Sequence, residues 1–206
     1  MALLKHNNNS ISNVTSFAQV PAGDMKLLST ATASSSASIS FNSTYINSDY
    51  KIYKFEFINI HLANNDISFQ MNFSTDNGST YNVAKTTTYF RARHSENDTT
   101  ADLAYTGGFD LAQGTGNQVL ADSIQTLSSD ESICGTFQLF NPSSTTYVKH
   151  FLSRFSSYTA IAGGGEIEAY CSGYGNTTSA INAIKFVAES GNMDAGQIKL
   201  YGIGAN

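Results

Sequence analysis

No tryptophan occurs in this chain, so any surface on which a ligand ring could stack has to come from its 11 tyrosines and 13 phenylalanines. Charge is equally scarce, with Asp, Glu, Lys and Arg making up 13% of the 206 residues. A polar surface with so few charges is built from Ser, Thr and Asn, which suit exposed strand faces and turns better than solvated helices. The net charge of -5 and the lack of a Lys- or Arg-rich stripe argue against nucleic acid as the main partner, because phosphate binding depends on clustered basic groups. The opening Leu3-Leu4 pair is too short for the apolar region of a signal peptide or for a membrane span, so the expectation is synthesis in a cytoplasm and no membrane insertion. The two cysteines, Cys134 and Cys171, lie far apart in predicted strands and read as free thiols, with a disulfide as the alternative.

What the chain does have is alternation. Residues 50–61 carry Tyr53, Phe55, Phe57 and Asn59 on one predicted face, with Ile52, Lys54, Glu56, Ile58 and Ile60 on the other. Ile67, Phe69, Met71 and Phe73 alternate in the same way, and this segment is the expected partner strand of 50–61. Asn77-Gly78 is a hairpin signal because both residues tolerate positive φ, which predicts a return strand over 81–91. Residues 94–117, with Gly107, Gly108, Gly114 and Gly116, read as a long excursion with one helical turn around 102–105. Further strands are expected over 118–124, 133–140, 146–155, 166–174 and 183–188, and the loop at Gly191 to Gly196 feeds a last one over 197–203. About ten strands at this spacing predict an all-β fold, a single antiparallel β-sandwich of jelly-roll type over 25–206. The polar, irregular residues 1–24 read as an extended N-terminal arm. Leu3, Leu4, Lys5, Ile11, Val14 and Phe17 are its candidate assembly contacts.

The sequence holds no nucleophile elbow, phosphate-cradling loop, dinucleotide fingerprint or paired-His motif, so neither catalytic residues nor a cofactor or metal is expected. His6, His61, His94 and His150 are scattered. Glu166 and Glu168 fall on one side of a strand, about 7 Å apart, near the spacing of glycosidase carboxylates, but read as an exposed pair. Asp76 and Asn77 offer oxygen ligands without calcium-loop spacing, and a turn accounts for them. Tyr81, Tyr89, Tyr105 and Tyr170 are candidates for stacking on a sugar.

The opening 3–11, Phe90 to His94, Asn141 to Phe151, Asn176 to Phe186 and the closing 191–203 together resemble a family of small structural proteins of tailed bacteriophages, especially marine podovirus-like ones. The resemblance implies a non-enzymatic jelly-roll virion component, commonly a homo-trimer, that binds the major capsid protein as a decoration or cement protein. The alternative it leaves open is a tail or tail-fibre component that contacts a host surface glycan. It carries over no catalytic residues.

Overall fold

The computed structural model describes residues 25–205, which form thirteen strands and one 3-10 turn at Ile161–Gly163. Residues 1–24, and with them Leu3, Leu4, Lys5, Ile11, Val14, Phe17 and His6, lie outside the described residues. The larger of two antiparallel sheets contains β1 (Lys26–Thr32), β3 (Tyr50–Leu62), β5 (Lys85–Ser95), β6 (Ala101–Tyr105), β7 (Ala112–Gly114), β9 (Ile133–Phe140), β10 (Lys149–Thr159), β11 (Gly165–Gly175) and β13 (Met193–Ala205). Its order is β1-β13-β3-β9-β10-β11-β5-β6, with β7 also on β5. The smaller sheet contains β2 (Ile39–Phe41), β4 (Ile67–Ser74), β8 (Gln118–Ile124) and β12 (Ala183–Ala188), in the order β2-β12-β4-β8. The fold is therefore all-β and sandwich-like, as the alternation predicts.

The sheets face each other through phenylalanines. Phe186 of the four-stranded sheet meets Phe55, Phe57 and Phe137 of the nine-stranded sheet, with ring centroids 5.2, 4.9 and 6.0 Å apart. Strand β10 shows the cause most plainly: Phe151, Ser153, Phe155, Ser157 and Thr159 are buried while His150, Leu152, Arg154 and Ser156 point outward. Gly135 sits in register between Phe57 on one neighbouring strand and Phe155 on the other, and those two rings meet 5.0 Å apart. A Cβ at Gly135 would lie 2.3 Å from Phe155 Cδ1, so the missing side chain is what lets the rings close over this strand.

Four expectations are corrected. Strands β3 and β4 are not paired neighbours but lie in opposite sheets, because each has a wholly apolar face and the two faces cover one another; the Phe57 and Phe69 ring centroids are 5.5 Å apart. The alternation of β3 also breaks: Asn59 takes φ 49°, the register shifts between Phe57 and Ile60, and Ile60 turns into the core in place of Asn59. Asn77 and Gly78 do adopt positive φ, 60° and 87°, but the turn carries the chain from one sheet to the other, and the return strand begins only at Lys85. The helical turn expected around 102–105 is strand β6, held by pairing with β5 from Phe90–Tyr105 to His94–Ala101.

The terminal strand is deeply integrated. It pairs with β1 on one side and β3 on the other, and Ile198 and Leu200 are fully buried.

Candidate binding face on the nine-stranded sheet

Registers place Tyr105, Phe90, Tyr170, Arg154, Thr136 and Glu56 side by side across six neighbouring strands, on the face turned away from the core. Period-two alternation puts all of them on one side, so the row follows from the strands' parity. The Phe90 and Tyr170 rings stack with centroids 4.8 Å apart and planes 6° from parallel. On the other side of Tyr170 the Arg154 guanidinium stands 5.5 Å from the ring centroid, and it pairs with Glu168. Arg154 holds the Glu168 carboxyl below its ordinary range, with a hydrogen bond to Tyr170 adding to the effect. The same bond raises the Tyr170 phenol.

Beside this row lies an open groove of about 360 Å³, with Leu152 and the Phe90 and Tyr170 rings as apolar walls and Gln138, Arg154 and Ser172 as polar ones. Thr88 and Ser172 share a hydrogen bond of 2.9 Å next to it. Large apolar side chains around the stack meet solvent: Leu103 is 71% exposed, Tyr105 62%, Leu152 52% and Phe90 40%. On a face this exposed, such a group is a candidate contact surface.

The sugar-stacking tyrosines do not come together. Tyr89 is fully buried and donates to Asp122, while Tyr81 lies under Lys185 Nζ, 4.8 Å from the ring centroid. Only Tyr105 and Tyr170 share the outer face, and both sides of the Tyr170 ring are taken, one by Phe90 and one by Arg154. Tyr170 therefore offers a sugar its edge and hydroxyl rather than a flat face.

Glu166 and Glu168 do share a side of β11. Their carboxyls are pushed apart: partial burial raises Glu166, against a lowering hydrogen bond from Ser156, while Arg154 lowers Glu168. Glu168 is already committed to Arg154 and Tyr170, and the pair stands on open sheet rather than in a cleft. The three described histidines stay apart: His61 Nε2 lies 3.4 Å from Ser128 O, His94 Nε2 lies 3.3 Å from Asp98 Oδ1, and His150 sits by Tyr174. Both Asp76 oxygens accept hydrogen bonds inside the turn, from Ser74 Oγ and Thr80 N on one and Thr80 Oγ1 on the other. Among the described residues no group of three or more acidic, His or Cys side chains is placed to hold a metal. Cys134 and Cys171 are free thiols, and burial pushes Cys171 up to about 12.

Sequence reasoning missed the partnership of Phe90 with Tyr170 and a polar cluster between the sheets, where Asp122 pairs with Arg91 and accepts from Tyr89. The signal was in the parity of β5: Lys85, Tyr89 and Arg91 share the inward face, and three such residues there need inward partners. No family model matches the chain, and no curated protein or solved structure is significantly similar to it.

Proposed function

We propose that this chain is a non-enzymatic structural protein of a tailed bacteriophage particle, a jelly-roll-type subunit that decorates and cements the capsid shell as a trimer. The observation that carries the reading is the outer face of the nine-stranded sheet, where Leu103, Tyr105, Phe90 and Leu152 stand exposed on a sheet whose opposite face is a packed core. A rigid sheet loses little conformational entropy on association, and covering these side chains supplies the favourable term. The segments that resemble phage structural proteins supply the setting, with the major capsid protein as the neighbour. Residues 1–24, through Leu3, Leu4, Lys5, Ile11, Val14 and Phe17, add a second contact element.

A second reading, a tail or tail-fibre component that binds a host surface glycan, is favoured by one feature: Gln138, Arg154 and Ser172 edge a groove whose wall is Leu152. Quantifying the protein against the major capsid protein in purified particles separates the two. A copy number on the scale of capsid lattice sites supports decoration, and a few copies per particle support the tail. Absence from the particle contradicts both. Removing residues 1–24 is expected to leave the sandwich folded but unincorporated, and normal incorporation would remove the arm from the account.

A further inference from the structure

Among the described residues two lysines have no exposed surface, Lys85 at the start of β5 and Lys149 at the start of β10, and both lie in register with Gly175 between them. Their surroundings differ in one respect. Lys149 Nζ donates only to main-chain carbonyls, Tyr147 O at 2.7 Å and Thr177 O at 3.0 Å. Lys85 Nζ donates to Val83 O at 2.7 Å and to the side-chain carboxamide of Asn72 at 2.6 Å.

That carboxamide is itself buried and held at every polar position. Asn72 Oδ1 accepts from the Phe73 N–H at 2.8 Å as well as from Lys85. Asn72 Nδ2 donates to Tyr81 O at 2.9 Å, Thr115 O at 3.1 Å and Asn117 Oδ1 at 3.2 Å. A buried amine meets no diffusing substrate, so any reaction open to Lys85 is with the protein itself. The carboxamide carbon of Asn72 is the electrophile set against it whose reaction leaves the main chain intact. None of these contacts is a carboxylate, so the amine has no ionic partner to hold its proton. Burial, with the nearby charge of Lys185 on β12, lowers its ammonium to about 8.

We propose that Lys85 and Asn72 join in an intramolecular isopeptide bond that ties β4 of the four-stranded sheet to β5 of the nine-stranded sheet. The unprotonated Lys85 Nζ attacks Asn72 Cγ, and the charge that develops on Oδ1 meets the Phe73 N–H already directed at it. The Cγ–Nδ2 bond then breaks, one proton of the attacking amine passes to the departing nitrogen, and ammonia leaves. Carbon keeps its oxidation level, so no oxidant or cofactor takes part. The product replaces a buried cation without an anion by a neutral amide, which removes the desolvation cost of the charge. A cross-link between the sheets also survives any transient opening of their interface.

The test is mass spectrometry of the purified full-length chain after overnight incubation above the pH at which Lys85 loses its proton, about 8. The expected result is an intact mass short by one ammonia and, after proteolysis, a branched peptide joining the segments of residues 72 and 85. Lys149 is expected to remain a free amine and serves as the reference within the same digest. The variants Lys85→Arg and Asn72→Ala should each abolish the branched peptide. A full-length mass equal to the sequence overturns the proposal. So does the loss of ammonia without a branched peptide, which would be succinimide formation at an asparagine such as Asn77, followed by Gly78. Both readouts come from the unmodified sequence, so they stand even where a variant fails to fold.

Discussion

Tyr89 on β5 donates its phenolic hydrogen to Asp122 on β8, and both side chains are buried where the two sheets meet. Arg91, two residues along β5, pairs with the other Asp122 oxygen, so one carboxylate holds two side chains of the opposite sheet. Burial raises the Tyr89 phenol above its ordinary value and keeps it a donor.

Replacing Asp122 by Leu leaves the Arg91 guanidinium mostly buried without its anion. The expected loss is about 3 kcal/mol, read as a lower urea midpoint. Adding Arg91→Leu to Asp122→Leu should recover the part of that loss due to the stranded charge, while the buried Tyr89 hydroxyl still lacks its acceptor. If the double variant is as unstable as the single one, the ion pair is not the source of the cost.

Gly135→Ala should cost about 1–3 kcal/mol. Its Cβ would fall 2.6 Å from the Arg154 carbonyl oxygen as well as against the Phe155 ring, and a main-chain atom cannot move aside as a side-chain tip can. An unchanged thermal midpoint would mean that the Phe57–Phe155 contact tolerates a wider separation.

Hydrogen bonds from Ser74 and Thr80 hold the Asp76 carboxyl down at about 2, against an ordinary 3.8. A lowered folded-state value means that the unfolded chain binds the proton more readily. The turn's contribution is therefore complete above about 3.8 and fades as pH falls toward about 2. In acid titrations followed by circular dichroism, the stability gap between the protein and Asp76→Asn should close over that window. A gap that is constant with pH would contradict the sign.

How much of this was legible in the sequence depends on the range of the interaction. The face of Tyr53, Phe55 and Phe57, the positive φ of Asn77-Gly78 and the terminal strand were readable because alternation and turn chemistry are local. The placement of β4 opposite β3 was not, since an apolar face states that it must be covered and not by which strand. Strand β6 was hidden because its exposed Leu103 and Tyr105 carry no buried alternation, and β5 alone supplies its hydrogen bonds. On the binding face, the shared side of Glu166 and Glu168 was readable from spacing. The stack of Phe90, Tyr170 and Arg154 was not, because it draws on three strands whose register only the folded sheet sets.

The central claim is that the outer face of the nine-stranded sheet is the contact surface of a particle subunit. Its most direct test is binding of the variant Leu103→Ser/Tyr105→Ser/Leu152→Ser to particles prepared without the protein. These side chains are exposed, so each replacement should change stability by no more than about 0.5 kcal/mol. Attachment should nonetheless weaken by about tenfold or more, as expected when apolar contacts at the centre of an interface are removed. Attachment equal to that of the unaltered protein, with the fold intact, would contradict the account.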